Sequence, residues 1–234
     1  MKMKTSKIII ISFFSFVGLF LLSFMILGFA FNSIAIKEIR EKRNNFEKRA
    51  KIFMIEKPFK HIFVKNEGSI IILEGEKLLI KSNSYNSKDS LIVPTYEILN
   101  DTLFISLRKE INTTLELNNL ENLITISGTN TSVNLFSLNI SSLKLNFTSG
   151  NISIDKGVNI SKLDVNLYDN SEFSATQILN VDSLYLNINK SSFQVYNQKR
   201  VASVKGSIAN NSNVRLPKAL HIDLDIDKIS KVSM

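Results

Sequence analysis

The C-terminal two thirds of the chain repeat an alternating apolar pattern about every 20 residues. Each repeat opens with a run in which every second residue is apolar or glycine, and these runs begin at Ile124, Leu143, Leu163, Leu184, Val204 and Ile222. Turn-forming Asn, Ser, Asp and Gly residues separate the runs, as expected between short strands. A single unit would expose its inward side chains at both open ends, so burial requires stacked units. The repeat therefore predicts an all-β solenoid with coils of about 20 residues.

A second apolar pair follows in each unit and is also expected to point inward, because side chains alternate along a strand. The pairs are Val133 with Leu135, Ile152 with Ile154, Phe173 with Ala175, Phe193 with Val195, and Val214 with Leu216. Outward positions of the first runs form a column in which we expect side-chain hydrogen bonds along the stack. The column contains Asn146, Asn166, Asn187, Ser207 and Asp225. An antiparallel sandwich or barrel is the competing architecture, but the hairpin dipeptides Asn-Gly and Asp-Gly do not occur.

An uninterrupted apolar segment near the N-terminus predicts a transmembrane helix. No charged residue lies between Lys7 and Lys37, and residues 8–31 are almost wholly apolar. At about 1.5 Å per residue, a helix of this length crosses a hydrocarbon core of about 30 Å with some tilt. A signal peptide cleaved near residues 28–30 is the alternative, although the apolar block is longer than usual for one. We expect an uncleaved anchor in the lipid bilayer, preceded by a short basic tail at residues 1–7.

Residues 32–57 are predicted to form a basic helical stalk between the membrane and a folded domain at residues 58–234. Apolar residues recur at three- and four-residue steps from Ile36 to Phe53, which is the spacing of one helix face. The stripe is too short to favour a coiled coil. The basic side chains of the stalk can meet anionic lipid head groups. They are Lys37, Arg40, Lys42, Arg43, Lys48, Arg49 and Lys51.

The charge distribution leaves two orientations in the membrane open. The basic stretch after the apolar segment outnumbers the three lysines before it, and this bias favours a cytoplasmic domain. A short basic tail before the first apolar segment is nevertheless the layout of a signal anchor. We expect a single-pass protein of the bacterial cytoplasmic membrane whose C-terminal domain lies on the periplasmic or extracellular side. A domain on the cytoplasmic side is the alternative.

The net charge of +8 does not indicate nucleic-acid binding, because most of it lies beside the apolar segment. Residues 1–51 hold ten basic and three acidic side chains, so the rest of the chain carries only +1. The sequence contains no cysteine, which excludes disulfides, thiolate metal sites and a catalytic thiol. It also lacks a phosphate-binding loop, a nucleophile elbow and zinc-ligand spacing. The two histidines, His61 and His221, lie far apart in sequence, and Lys199-Arg200 is interpreted as an exposed turn. We therefore expect no enzyme activity and no cofactor.

The best candidate for site chemistry is the triplet Asp223, Asp225 and Asp227, on one face of a predicted strand. Alternate residues of a strand lie about 6.6–6.8 Å apart, too far for one strand to hold a cation tightly. The aligned positions of the adjacent coil, Lys205 and Ser207, add no carboxylate. The triplet is thus a weak calcium candidate, and a solvated strand edge is the preferred interpretation.

The beginning of the predicted domain resembles the GIN domain, a bacterial family of putative auto-transporter adhesin heads that is common in Bacteroidota. Segments of alternating apolar residues and turns carry the resemblance, which would extend over residues 58–230. The segments are 59–64 (FKHIFV), 68–72 (GSIII), 75–80 (GEKLLI), 96–105 (YEILNDTLFI) and 123–128 (LITISG). The resemblance implies a right-handed, single-stranded β-helix in the cell envelope.

These features together predict a non-enzymatic, membrane-anchored envelope protein whose β-solenoid binds a protein or a glycan, as an adhesin does. One alternative is a membrane-bound scaffold that polymerises end to end and resembles bactofilins, which the basic stretch and the open coil ends favour. The other is a glycan-active β-helix enzyme that depends on the carboxylates between Asp223 and Asp227. The sequence leaves the oligomeric state open.

Overall fold

The alternating runs fold as strands. The structure, a computed structural model, describes residues 50–84, 94–175, 181–196 and 201–234. All regular structure in these ranges is β-strand. The strands are β1 Lys51–Met54, β2 His61–Lys65, β3 Ser69–Glu74, β4 Leu79–Ser84, β5 Thr95–Leu99, β6 Thr102–Ser106, β7 Ile111–Leu117, β8 Thr125–Thr129, β9 Ser132–Phe136, β10 Asn139–Thr148, β11 Asn151–Ile154, β12 Asn159–Tyr168, β13 Glu172–Ala175, β14 Ser183–Asn189, β15 Ser192–Val195, β16 Val201–Ala209, β17 Asn213–Arg215, β18 Ala219–Ile226 and β19 Lys231–Ser233.

The strands belong to two sheets, here called sheet A and sheet B. Sheet A has the order β1-β4-β7-β3-β9-β11-β13-β15-β17-β19, and sheet B has the order β18-β16-β14-β12-β10-β8-β2-β6-β5. From β8 onward each coil gives one strand to sheet B and the next strand to sheet A, and each strand pairs in parallel with its counterpart in the adjacent coils. This part of the chain is therefore a β-solenoid, as the repeat predicts.

The pairing register of the coils agrees with the sequence alignment. In sheet B, Leu143 pairs with Leu163, Leu163 with Leu184, Leu184 with Val204, and Val204 with Ile222. The second apolar pairs align in the same way in sheet A. A slip of one residue would turn every inward side chain outward. The apolar pattern is therefore sufficient to fix the register of these coils.

Inward side chains of both sheets form one continuous apolar core. Leu145, Val165 and Leu186 are fully buried at successive levels of sheet B. In sheet A, the rings of Phe173 and Phe193 stack with their centroids 4.6 Å apart and an angle of 11° between their planes. Burial of each such side chain contributes roughly 1.5–3 kcal/mol to the free energy of folding. The stack of coils is therefore the main source of stability.

The first coils do not follow the simple order. Strands β2 and β3 pair in parallel with β6 and β7 on one side and with β8 and β9 on the other. The first coil of the domain thus lies between two coils that come later in the chain. Beyond β6 and β7 the pairing becomes antiparallel, with β5 on β6, β4 on β7 and β1 on β4. These antiparallel strands cover the N-terminal end of the stack.

The predicted stalk extends too far toward the C-terminus. Residues 51–54 form strand β1 and not the last part of a helix, because β1 pairs with β4 and Phe53 packs against the core. The folded unit begins at Ala50, so the boundary predicted at residue 58 is too late.

The predicted anchor and most of the stalk lie outside the described residues. This applies to the transmembrane segment at 8–31 and to Lys37, Arg40, Lys42, Arg43, Lys48 and Arg49. Lys51 is described and is exposed on β1. Across the described ranges, no helix has the length and apolar character needed to cross a bilayer.

Candidate functional site

The outward side of sheet B presents side chains in rows, because in-register parallel strands place equivalent positions above one another. We call the outward side of β10, β12, β14 and β16 the sheet B face. Its middle row contains Lys144, Asp164, Tyr185 and Lys205, which are direct cross-strand neighbours. The adjacent row is the column of Asn and Ser predicted from the sequence. The face therefore combines opposite charges, amides and an aromatic ring.

An ion pair joins two levels of this face. Lys144 Nζ lies 3.4 Å from Asp164 Oδ2, with 48% and 33% of the two side chains exposed. Asn166 Nδ2 donates a hydrogen bond of 2.7 Å to Asp164 Oδ1. A pair this exposed contributes little to stability, but the two contacts hold the Asp164 carboxylate in a defined orientation.

A second set of hydrogen bonds orders the neighbouring levels. Asn187 Nδ2 donates to the Tyr168 hydroxyl at 2.9 Å, and Ser207 Oγ donates to Asn187 Oδ1 at 3.3 Å. The Asn187 amide is therefore fixed between two coils. An amide held in this way presents its remaining donor and acceptor capacity at a constant position.

Tyr185 is the exposed aromatic ring of the face. It is 52% exposed and lies between Asp164 and Lys205 in the middle row. A tyrosine offers a flat apolar ring together with a polar hydroxyl. The apolar pattern of the repeat does not indicate this residue, although its position two residues before Asn187 of the predicted column is an available signal.

The predicted outward column is confirmed in its alignment and only partly in its bonding. Asn146 Nδ2 donates along the stack to Ser127 Oγ at 3.4 Å, as expected for a ladder. Asn166 instead donates to Asp164 of its own strand. The physical reason is that an ionised carboxylate is a stronger acceptor than a neutral amide or hydroxyl oxygen.

Serines at one turn link the last coils, and we call Ser171, Ser191, Ser212 and Ser230 the serine ladder. The first three are buried and Ser230 is half-buried. Each hydroxyl accepts a hydrogen bond from the backbone of the preceding coil: Ser191 Oγ from Ser171 N–H at 3.2 Å, and Ser212 Oγ from Ser191 N–H at 3.3 Å. Ser230 Oγ accepts from Ser212 N–H at 3.1 Å in the same way. Ser191 Oγ also donates to the Asn189 carbonyl at 2.8 Å within its own turn. The ladder therefore satisfies backbone groups that would otherwise be buried without a partner.

An open groove of about 540 Å³ runs over the serine ladder. Polar turn residues line it, including Asn170, Glu172, Lys190, Asn210 and Asn213. Asn170 and Lys190 have φ angles of 64° and 48°, which Asn tolerates better than most residues. The serine hydroxyls beneath the groove are already hydrogen-bonded to backbone groups. The groove therefore follows from the stacking of the turns and needs no ligand to explain it.

The structure places two members of the acidic triplet as the sequence predicts. Asp223 is the cross-strand neighbour of Lys205, and Asp225 is the neighbour of Ser207. Both carboxylates are exposed on β18. The adjacent coil thus supplies a cation and a hydroxyl rather than further carboxylate ligands for calcium.

Asp227 has a structural role at the turn that follows β18. Its carboxylate accepts hydrogen bonds from the backbone N–H groups of Asn210 at 2.6 Å, Ser230 at 2.8 Å and Ile229 at 3.2 Å. The Ser230 side chain, followed by these backbone N–H groups, lowers the pKa of Asp227. These bonds favour the charged form. Asp227 is therefore committed to holding its own turn.

No group of three His, Asp or Glu side chains that could hold a metal ion occurs among the residues that the structure describes. The weak calcium candidate is therefore not assembled as a site. His61 is half-buried on β2, and His221 is exposed on β18 at the C-terminal edge of sheet B. Lys199-Arg200 lies outside the described residues.

Comparison with known proteins supports the fold. No protein-family model matches the sequence, and no curated protein matches it. A crystal structure of a putative adhesin from Parabacteroides distasonis superimposes with a TM-score of 0.58 at 12% identity, over 78% of this chain and 77% of that chain. A putative adhesin from Parabacteroides merdae matches with a TM-score of 0.44 at 14% identity, over 79% of this chain and 94% of that chain. A putative adhesin from Bacteroides fragilis matches with a TM-score of 0.42 at 12% identity, over 79% of this chain and 95% of that chain. At these identities the first match shows a shared fold, and the assignment to the GIN family stays a prediction.

Proposed function

We propose that the chain is a membrane-anchored envelope protein whose β-solenoid binds a glycan through the sheet B face, in the manner of an adhesin. The observation that carries the proposal is the grouping of Tyr185 with Asp164 and Asn187 on one open face. A solved structure that shares the fold is described as a putative adhesin, which supports the same general role. A protein ligand is the other partner that such a face can accept.

The chemistry of the face suits a ligand rich in hydroxyl groups. The Tyr185 ring offers an apolar surface for the C–H groups of a sugar ring. The Asp164 carboxylate accepts hydrogen bonds, and the Asn187 amide both donates and accepts them. A flat face encloses little of a small molecule, unlike a concave pocket. We therefore expect weak contacts, repeated along an extended chain.

The proposed role is non-catalytic. Glycan hydrolysis normally requires two carboxyl groups on either side of the scissile bond, about 5–9.5 Å apart. The Asp164 carboxylate is engaged by Lys144 and Asn166, and Asp227 is engaged by backbone N–H groups. A rival enzyme function predicts turnover of envelope polysaccharides that is lost when Asp223, Asp225 and Asp227 are replaced by Asn. We expect no turnover by either protein.

We propose that residues 8–31 anchor the chain in the bacterial cytoplasmic membrane and that the solenoid lies on the periplasmic or extracellular side. The uncharged apolar segment and the short basic tail before it support this arrangement. We also propose right-handed coils, because crossovers between parallel strands of one sheet are right-handed in about 98% of cases. Alkaline phosphatase fused after residue 234 tests the side of the membrane, because the enzyme is active only after export. An inactive fusion would favour a cytoplasmic domain.

The test of binding compares two tyrosines on different sheets. Tyr185→Ala and Asn187→Ala in the full chain should each weaken binding to envelope polysaccharide fractions by about tenfold, equivalent to about 1.4 kcal/mol. Tyr196→Ala is the matched control, because Tyr196 follows β15 of sheet A and is also exposed. Equal binding by wild type and Tyr185→Ala, or equal loss in the control, would refute the sheet B face as the binding site.

A polymerising scaffold is a second candidate function, because apolar side chains of the last coil are exposed. Ile222 and Ile226 are examples, with 45% and 42% of their surface exposed. Electron microscopy of the purified full chain distinguishes the two functions. Regular filaments would favour the scaffold, and separate particles favour the adhesin-like role.

A further inference from the structure

The last coil leaves its inward side chains uncovered by any described residue. We call the inward residues Ile222, Leu224 and Ile226 of β18, with Val232 of β19, the end face. The exposed fractions are 45% for Ile222, 42% for Ile226 and 36% for Val232, whereas Val204, Ile208 and Val214 directly beneath them are at most 1% exposed. The end face therefore has the composition of the core and the exposure of a surface.

The backbone of β18 also has unused hydrogen-bonding capacity at this edge. In β14 the inward residues are Leu184, Leu186 and Ile188, and Lys190 is the next residue in the same alternation. The Lys190 N–H donates to the Ala209 carbonyl of the next coil at 3.1 Å, so backbone groups at inward positions point toward the next coil. Asp227 continues the outward positions Asp223 and Asp225 of β18, and its N–H donates to the Ile208 carbonyl of the preceding coil at 3.1 Å. Because residues of a parallel strand alternate between their two neighbours, the N–H and C=O groups of Ile222, Leu224 and Ile226 point to the free edge.

The outward charges of β18 specify what can pair with it. Within the stack, the cationic Lys144 faces the anionic Asp164 of the adjacent strand at 3.4 Å, and Lys205 is likewise the neighbour of Asp223. Asp223 and Asp225 are both exposed and present negative charge to any strand added beyond β18. Opposite charges on directly paired residues stabilise a sheet and like charges destabilise it. A complementary strand therefore carries cations at its outward positions.

The same rule argues against a second copy of this chain. Two copies that meet through β18 bring the carboxylates of Asp223 and Asp225 together. A head-to-tail arrangement brings β18 against β5, whose outward Glu97 is exposed, and β19 against β1. Both arrangements place like charges opposite each other.

We propose that β18 is a docking edge for an extended strand of another polypeptide in which apolar residues alternate with Lys or Arg. The apolar side chains of that strand cover Ile222, Leu224 and Ile226, and its basic side chains face Asp223 and Asp225. Addition of a strand to an exposed sheet edge is a recurrent mode of peptide recognition. The site is separate from the sheet B face, so it does not depend on the proposed glycan binding.

The first test varies the peptide. A fluorescein-labelled peptide of alternating Val and Lys is titrated with the full chain in nanodiscs and followed by fluorescence anisotropy. We expect saturable binding that weakens as salt rises from about 20 to about 500 mM, because exposed charges are screened. A Val-Glu peptide should bind at least about tenfold more weakly. A fully N-methylated Val-Lys peptide should not bind, because it cannot donate backbone hydrogen bonds.

The second test varies the edge. Leu224→Pro removes one N–H from the free edge, where proline is tolerated, and Leu224→Ala is its matched control because it removes the side chain and keeps the N–H. We expect Leu224→Pro to bind the Val-Lys peptide at least about tenfold more weakly than Leu224→Ala. The double variant Asp223→Asn with Asp225→Asn should bind about three- to tenfold more weakly than wild type and with less salt dependence. Tyr185→Ala should bind the peptide as wild type does.

Several results would overturn the proposal. Equal binding of the N-methylated peptide would show that charge alone attracts the ligand. Equal binding by Leu224→Pro and Leu224→Ala would place the contact elsewhere, and the peptide controls decide the matter if Leu224→Pro does not fold by circular dichroism. Sedimentation showing wild-type oligomers that Leu224→Pro disperses would identify a second copy as the occupant.

Discussion

The two ends of the solenoid are built differently. At the N-terminal end, antiparallel strands lie beyond the coil of β6 and β7, and Leu103 and Ile105 of β6 are fully buried beneath them. At the C-terminal end, the described residues provide no such cover, and Ile222 and Ile226 remain exposed. Stacked repeats therefore bury their inward side chains only where a coil lies on both sides. The terminal coils need a further element to cover their inward side chains. At the N-terminal end the antiparallel strands do this, and among the described residues nothing does it at the C-terminal end.

The largest expected effect distinguishes the interior of the stack from its open end. Phe173→Ala removes a fully buried ring stacked on Phe193 and should lower the free energy of unfolding by about 3–5 kcal/mol. Ile222→Ala, at the open end, should cost less than about 1.5 kcal/mol, because much of its side chain is already in water. Urea unfolding of both variants measures the difference. Equal losses would mean that the end face is covered in solution.

The next effect concerns the coil beneath the open end. Gly206 in β16 has a φ angle of 135°, and a Cβ atom there would lie 1.8 Å from the Leu186 carbonyl oxygen. Gly206→Ala should therefore cost about 2–4 kcal/mol through backbone strain and overpacking. Gly75→Ala is the milder comparison in the first coils, because its Cβ would lie 3.1 Å from Glu116 Cβ, a contact that a shift of a few tenths of an ångström relieves. Thermal unfolding that ranks the two variants equally would contradict this interpretation.

The serine ladder belongs only to the C-terminal coils among the described residues. Ser191→Ala removes an acceptor for Ser171 N–H and a donor to Asn189 O and should cost about 1–3 kcal/mol. Ser142→Ala, at an exposed position of β10, should change stability by less than about 0.5 kcal/mol. The free energy of unfolding in urea provides the comparison, and a neutral Ser191→Ala would indicate that water replaces the hydroxyl.

A smaller and opposite effect is expected in the first coils. The Thr113 hydroxyl of β7 is buried and has no hydrogen-bond partner among the described residues. Thr113→Val keeps the shape and removes the unsatisfied group, so it should raise stability by about 1 kcal/mol. Thr114→Val in the same strand, where the side chain is partly exposed, is the control and should be nearly neutral. A destabilised Thr113→Val would show that the hydroxyl is bonded in solution.

The smallest effect is a pH dependence at the open end. Because hydrogen bonds from the Ser230 side chain and from the backbone N–H groups lower the pKa of Asp227 in the folded state, the ionised carboxylate stabilises the fold above the unfolded pKa of about 3.9. That contribution is lost as pH falls through the lowered folded pKa. Asp227→Asn should therefore melt below wild type near neutral pH, with a gap that narrows on acidification. A gap independent of pH would contradict the assignment.

The regular coils were predictable from the sequence because only one register buries every inward side chain. Leu143, Leu163 and Leu184 illustrate this, since a slip of one residue at any of them would expose a whole row. The constant spacing near 20 residues made the alignment possible without knowledge of the turns.

The order of the first coils was not predictable by the same reasoning. Ile62 and Val64 of β2 show clear alternation, but alternation decides which side chains point inward and not which coil lies above or below. The antiparallel strands between β3 and β6 also interrupt the spacing on which the alignment depends. The identity of the neighbouring coil is decided by the competition between packing partners that are distant in sequence.

The surface was predicted only in part. The alignment of Asp223 with Lys205 followed from the register. Tyr185 was missed because outward positions do not contribute to an apolar pattern. The serine ladder was missed because serine between two strands is typical of an exposed turn, whereas Ser171 and Ser212 are only 1% exposed. Their recurrence at the period of the coils was the signal.

The position of β2 and β3 between later strands has a consequence for synthesis on the ribosome. Ile62 and Val64 are synthesised before both of their neighbouring coils, β6 with β7 and β8 with β9. At about 5–20 residues per second, several seconds pass before residue 136 completes the upper coil. During that interval the nascent chain holds the apolar strands β2 and β3 without their partners, so a chaperone that binds extended apolar segments has an opportunity to act there.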